Sequence, residues 1–169
     1  MDLSGMPILR PIPIKTKDRW IIARIWVWIT SVRTWRVEED WVYPLPDDQP
    51  RIVVPKGFVF DGASIPRVLW GLLSPTGLLL IPGLIHDFAY RYDYLWAIDE
   101  SGTAYKYQAG AGQWYWDRMF RRVGIVVNGM AIIDLLAWVT LFLFGWVAWR
   151  NNRKEQRSEI FPDTFPIRE

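Results

Sequence analysis

The sequence predicts an α+β fold in which an N-terminal antiparallel β meander is followed by a bundle of about three helices. β-branched and aromatic residues dominate residues 18–60, which is typical of strands. Turns rich in proline and glycine divide this region into short segments. Residues 78–150 are largely apolar and favour helices. Strands followed by helices is the order expected of an α+β domain.

The predicted strands begin with residues 20–30, a run of β-branched and aromatic side chains. Over residues 35–43 apolar and charged side chains alternate, which is typical of a half-buried strand. Two further short strands are predicted at residues 51–54 and 58–60, where prolines mark the intervening turns. A loop over residues 61–77, containing one short helical turn, then connects the strands to the helices.

Three helices are predicted in the second half of the chain. The first begins near residue 82 and runs to about residue 96. A linker rich in glycine and tyrosine follows over residues 99–112. The second helix covers residues 113–123, and the third covers residues 125–149.

The composition excludes several kinds of site. Among 169 residues there are 20 basic and 18 acidic side chains, so the formal charge of +2 gives no reason to expect nucleic-acid binding. No cysteine is present, which excludes disulfides, thiolate zinc sites and cysteine nucleophiles. The single histidine, His86, excludes metal sites that need several histidines. Twelve tryptophans indicate extensive aromatic packing, a boundary between water and apolar surface, or both.

The chain is predicted to contain one domain with two extensions. We expect an extended N-terminal arm over residues 1–17, a single α+β domain over 18–150, and a charged, proline-containing tail over 151–169. The first residues lack a basic segment followed by an apolar run, so we expect no secretory signal.

The third helix allows two interpretations. Residues 125–149 are nearly long and apolar enough to span a membrane, and basic residues flank them on both sides. Asp134 near the middle would be costly in lipid. One helical face carries Trp138, Phe142, Gly145 and Trp149, which a helix buried in the domain explains equally well. We favour the buried helix and keep membrane contact as the alternative.

A polar constellation lies within the first helix. At about 100° per residue His86, Tyr90 and Asp93 share one face, whereas Asp87 points about a quarter turn away. Asp117, on the following helix, is the best candidate to orient the imidazole of His86, because consecutive helices tend to pack antiparallel. The second ring nitrogen would then be free to act as a base. A core histidine satisfied by Asp117 or by a backbone carbonyl is the competing interpretation.

Asp87 would be free to bind a hard cation in this arrangement. Carbonyl oxygens around Asp61 and Gly62 are candidates to complete such a site. Ser64, in the same loop, lacks the setting of a nucleophile and is better explained as a helix cap.

Several motifs resemble domain-of-unknown-function family 1353. The resembling segments include Leu84-Ile85-His86-Asp87-Phe88-Ala89-Tyr90 and Trp116-Asp117-Arg118-Met119-Phe120. The others cover residues 35–43, 54–66 and 144–149, all in the family's order. The resemblance implies a gene typical of tailed bacteriophages and prophages, with no established activity, and it favours the buried helix. Trp116 stands where the family usually has a small residue.

The His-Asp-x-x-Tyr element also resembles, more loosely, the site of the secreted phospholipases A2. That likeness implies that His86 activates water and that Asp117 orients the imidazole of His86. It also implies that Asp87 holds calcium, with carbonyls from the loop at Asp61 and Gly62. The absence of cysteines and of the glycine-rich calcium-loop sequence departs from that family. The likeness is one of a site, not of descent.

Two functions from different classes follow. We expect an interaction component of a bacteriophage, associated with the virion or tail or with injection, whose partners are other phage structural proteins. Membrane contact is a second expected interaction, and the expected locations are the virion or the host cytoplasm. The alternative is a calcium-assisted hydrolase of esters or phospholipids, with His86, Asp117 and Tyr90 as its catalytic residues.

Overall fold

The computed structural model describes residues 5–13, 20, 34–60, 79–155 and 157–168. Within these residues the predicted α+β fold is confirmed. The elements in chain order are β1 (Leu9–Ile12), β2 (Thr34–Val37), β3 (Trp41–Pro44), β4 (Arg51–Val54), β5 (Val59–Phe60), α1 (Leu80–Tyr92), β6 (Leu95–Ile98), β7 (Ala104–Tyr107), α2 (Gln113–Asn128) and α3 (Ala131–Lys154).

The described strands form two antiparallel sheets. The first has the order β1-β2-β5, and the second has the order β3-β4-β6-β7. Buried side chains from these strands and from α1 share one apolar core, in which the rings of Phe58 and Phe88 pack with centroids 5.0 Å apart. Burial of this core is the main stabilising contribution to the domain and holds α1 in place.

The first predicted helix is too long at its C-terminal end. It ends at Tyr92, and Asp93 takes a left-handed conformation with φ 59°, which a short polar side chain tolerates. Leu95–Ile98 then forms β6, a central strand whose four residues are all buried. A short run of continuous apolar residues has the same pattern in a buried helix and in a buried strand, which is why the prediction was wrong here. The predicted linker likewise contains β7, paired with β6.

The boundary between the last two helices also differs from the prediction. The second helix continues to Asn128, and Gly129 ends it with φ 61°. The third helix then runs from Ala131 to Lys154. Gly129 provides the left-handed C-cap that glycine commonly supplies, so the glycine itself marks the true boundary.

The two extensions contact the sheets where they are described. Leu9–Ile12, from the predicted arm, pairs with β2 along its whole length. In the predicted tail, the backbone carbonyl of Ile160 accepts a 2.9 Å hydrogen bond from the indole of Trp96, and Ile167 forms a bridge with Ala104. The strand predicted at residues 20–30, apart from Trp20, and the loop with its helical turn at 61–77 lie outside the described residues.

The helix α3 is not the buried helix that the sequence led us to expect. One face packs against α1 and α2, and there Asp134 and Ala137 are buried. The opposite face is apolar and exposed, with Ile132 76 % exposed. Among the described residues no single helix combines the length and apolar character needed to cross a bilayer. The segments Ala131–Phe142 and Gly145–Lys154, which meet at 53°, pass that test only when taken together.

Candidate functional site

The first candidate site is the place where α1 and α2 meet, which we call the polar junction: His86, Tyr90, Gln113 and Asp117. Nε2 of His86 lies 3.0 Å from Oδ1 of Asp117. The Tyr90 hydroxyl donates to the same oxygen, and Nε2 of Gln113 donates to Oδ2 at 3.4 Å. The predicted contact between His86 and Asp117 is therefore confirmed, and Tyr90 belongs to the same network.

The polar junction is closed to solvent. The side chains of His86 and Asp117 are only 4 % and 3 % exposed. The imidazole packs against the Tyr90 ring at 3.9 Å and against the edge of Phe120 at 5.4 Å, measured between ring centroids. Burial, together with the neighbouring Asp117, raises the pKa of Tyr90, so its hydroxyl stays protonated and remains a donor. A catalytic role for His86, Tyr90 and Asp117 stays a prediction.

The helix α3 completes the polar junction through Gly145, whose helical face the sequence indicated but whose contact with Tyr90 it did not. A Cβ atom at position 145 would lie 2.7 Å from the hydroxyl oxygen of Tyr90. The ring of Trp149 packs edge-on against Tyr90 at 5.2 Å. Arg153 donates 2.7 Å hydrogen bonds to the backbone carbonyls of Tyr90 and Arg91. All three described helices therefore converge on Tyr90.

Asp93 has a structural role that the sequence did not reveal. It lies just beyond α1 and accepts hydrogen bonds from the backbone N–H of Gly112 at 3.0 Å and from the indole of Trp116 at 2.8 Å. These bonds fix the start of α2 relative to the end of α1. Trp116, at the position where the family usually has a small residue, is buried, and its indole N–H donates to Asp93.

The predicted calcium site remains a prediction. Asp61 and Gly62 lie outside the described residues, and so does Ser64. Asp87 is half-buried on α1. Within the described ranges no group of three or more histidine, aspartate or glutamate side chains could hold a metal ion.

Asp134 is a second buried carboxylate, placed where α2 and α3 meet. Its Oδ1 accepts a 3.1 Å hydrogen bond from Asn128, and a Cβ atom at Gly124 would lie 2.5 Å from that oxygen. Its Oδ2 has no hydrogen-bond partner among the described residues. Burial raises the pKa of Asp134, while the bond from Asn128 opposes the rise. The two arginines before the end of α2 have other partners: Arg121 lies over the Trp138 ring, and Arg122 pairs with Asp47.

The second candidate site is the exposed surface of α3, which we call the apolar face. Ile132, Leu136 and Val139 follow one another at spacings of four and three residues and share one side of the helix. All of its members are large, apolar and exposed: Ile132, Leu135, Leu136, Val139, Phe142, Trp146 and Val147. Contiguous exposed apolar surface of this kind marks an interaction site.

The apolar face continues onto α2. Trp114 is exposed and packs edge-on against Phe142 with ring centroids 5.1 Å apart. Ile125, Val126 and Met130, at and beyond the end of α2, are exposed as well. Sequence reasoning singled out the apolar residues of α3 but assigned them to the interior.

Comparison with known families gives a match over more than half of the chain. The family described as "Protein of unknown function (DUF1353)" matches residues 35–128. The chain belongs to the DUF1353 family. The matched range of this DUF1353 protein contains His86, Tyr90 and Asp117 and ends with α2, so the likeness of residues 144–149 to a family element stays a prediction. No curated protein and no solved structure matches the chain.

Proposed function

We propose that this DUF1353 protein is a non-enzymatic interaction component of a bacteriophage particle, associated with the virion or tail or with injection. The observation that carries the proposal is the apolar face, seven large apolar side chains of α3 that are 38–76 % exposed. When another surface covers this much apolar surface, the free energy falls, because apolar side chains are removed from water. The particle's other structural proteins are the chain's neighbours in this proposal.

The polar junction supports the same proposal. Its donors and acceptors are turned toward one another and away from solvent. Such a network positions helices, and here it holds α1 and α2 in the arrangement against which α3 packs. In this view the junction supports the apolar face and performs no reaction.

The experiment that tests this proposal uses particles made by the phage or prophage that encodes the chain. We expect the full-length chain in purified mature particles, and we expect the variant Ile132→Ser/Val139→Ser to lower infectivity at least tenfold. The matched control, Ile8→Ser/Ile167→Ser, removes two exposed isoleucines outside α2 and α3 and should leave infectivity unchanged. A chain that is absent from mature particles contradicts the proposal.

The alternative function, a calcium-assisted ester or phospholipid hydrolase, is favoured by one observation, the 3.0 Å contact of His86 with Asp117. The burial of both side chains opposes it, because an ester must reach the imidazole. The alternative predicts calcium-dependent turnover that His86→Ala abolishes while the melting temperature hardly changes. Turnover of this kind would replace the first proposal.

A further inference from the structure

The exposed charge of α2 and α3 has one sign. The two acidic residues of these helices, Asp117 and Asp134, are both buried. Every exposed charged side chain of the two helices is basic: Arg118, Arg121, Arg122, Arg150, Arg153 and Lys154. Asp47, from the turn after β3, forms an ion pair with Arg122, in which Oδ2 of Asp47 lies 3.4 Å from Nε of Arg122. Glu155, the residue after α3, is exposed and pairs with Arg157. The exposed charge that α2 and α3 themselves place at both ends of the apolar face, which we call the basic margin, is therefore positive.

Two residues of this basic margin lie over tryptophan rings of α3. Arg121 stacks over Trp138 with its guanidinium carbon 5.6 Å from the ring centroid. At the other end Arg150 stacks over Trp146 at 5.1 Å. Tryptophan rings paired with basic side chains are characteristic of the boundary between the headgroups and the acyl chains of a bilayer.

We propose that the apolar face of α3 docks onto an anionic lipid bilayer. This inference rests on the proposed function, in which the apolar face is the binding surface, and it names what covers that face. The 24 residues of α3 measure about 36 Å along the helical path, which bends by 53° between its two segments, and both α1 and α2 pack against this helix. It therefore lies in the plane of the membrane surface, with its apolar side chains among the acyl chains and its basic residues at the headgroups.

Charge decides between lipid and a second copy of the chain. Two copies joined through the apolar face would bring the arginines of both margins together, and like charges brought close disfavour association. An anionic bilayer supplies apolar chains and opposite charge over the same area. Each basic residue near an anionic surface contributes about a fivefold increase in affinity.

The test is cosedimentation of the full chain with vesicles of phosphatidylcholine and phosphatidylglycerol at 3:1. We expect binding to these vesicles, and at least tenfold weaker binding to vesicles of phosphatidylcholine alone. Raising the salt concentration to about 1 M should weaken the binding, because the charged contribution is then screened. No binding to the anionic vesicles would overturn the inference.

Matched variants separate the two contributions. Ile132→Ser/Val139→Ser removes part of the apolar face and should weaken vesicle binding at least tenfold. Arg150→Gln/Lys154→Gln removes two basic residues and should weaken binding to anionic vesicles by roughly 25-fold, about fivefold for each residue. The control Ile8→Ser/Ile167→Ser should bind as the unmodified chain does. Circular dichroism melts show that each variant remains folded.

The outcomes also separate this inference from the proposed function. If Ile132→Ser/Val139→Ser lowers infectivity but the unmodified chain does not bind vesicles, the apolar face is the binding surface and its partner is not lipid. A dimer in solution that the same variant dissociates would show a second copy there instead. If the chain binds vesicles but is absent from particles, the proposed function fails while the lipid-docking property of the face stands.

Discussion

The polar junction and the apolar face reverse the usual distribution of side chains in a water-soluble protein. At the junction, imidazole, phenol and carboxylate groups meet in the interior and satisfy one another. On α3, large apolar side chains face outward over seven positions. Buried polar groups are costly unless paired, and exposed apolar groups are costly unless covered. Among the described residues the first cost is met and the second is not, so the apolar face is the region that needs a partner.

The polar junction stabilises the fold, and the apolar face provides the binding surface. Changes at the junction should alter the free energy of unfolding, whereas changes on the face should alter association and leave the fold intact. The following substitutions are ordered by the size of the effect we expect on stability.

Asp117→Ala should have the largest effect. It leaves the imidazole of His86 and the hydroxyl of Tyr90 without their shared acceptor in a closed interior. We expect a loss of about 3 kcal/mol in the free energy of unfolding, measured by urea denaturation. Asp163→Ala, at an exposed position in the tail, is the control and should change stability by less than about 0.5 kcal/mol. If Asp117→Ala unfolds at the same urea concentration as the unmodified chain, the junction does not hold the fold.

Gly145→Ala should have the next largest effect. In an ordinary helix interior this change stabilises by about 1 kcal/mol. Here the added Cβ atom would lie 2.7 Å from the Tyr90 hydroxyl, so we expect a loss of about 2 kcal/mol instead. The double-mutant cycle with Tyr90→Phe removes the obstructing oxygen. The cost of Gly145→Ala should then fall, and an unchanged cost would contradict the close approach of α3 to Tyr90.

Asp134→Asn should have the smallest effect, and it should be stabilising. Because burial raises the pKa of Asp134, the folded chain binds this proton more tightly than the unfolded chain. Stability therefore falls as pH rises from the ordinary carboxyl pKa through the raised one, and the loss is complete above it.

At neutral pH we expect Asp134→Asn to raise the free energy of unfolding by about 1 kcal/mol. The fall in stability over that pH range should also become smaller, as measured by thermal melts between pH 3 and pH 7. Asp163→Asn, at an exposed position, provides the control. A variant less stable than the unmodified chain at neutral pH would contradict the unfavourable burial of this carboxylate.

The parts of the fold that could be predicted depend on local patterns. The contact of His86 with Asp117 follows from two polar positions in consecutive apolar helices, and β4 and β5 follow from β-branched residues between turns. The alternation over residues 35–43 predicted one strand, whereas the structure has β2 and β3 there, in different sheets. The strand β6 could not be predicted, because Leu95–Ile98 is apolar on both sides. Gly145 could not be identified as a close contact, since that depends on where a third helix packs.

The exposure of the apolar face could not be predicted for a related reason. The side chains of α3 are apolar on nearly all sides of the helix. Such a helix has the same sequence pattern whether another element, a partner or lipid covers it. Asp134 and Gly145 are on its inner face, and sequence spacing alone did not show that the opposite face has no cover within the described part of the chain.

A single labelled cysteine gives the most direct test of the claim that lipid meets α3. The chain contains no cysteine, so Leu136→Cys carries the only reactive thiol, on a side chain that is 49 % exposed. With an environment-sensitive fluorophore at this position, anionic vesicles should shift the emission to the blue, while the same label at Lys56→Cys, an exposed position before β5, should not respond. Emission at position 136 that is unchanged by vesicles, or equal shifts at both positions, would contradict the account.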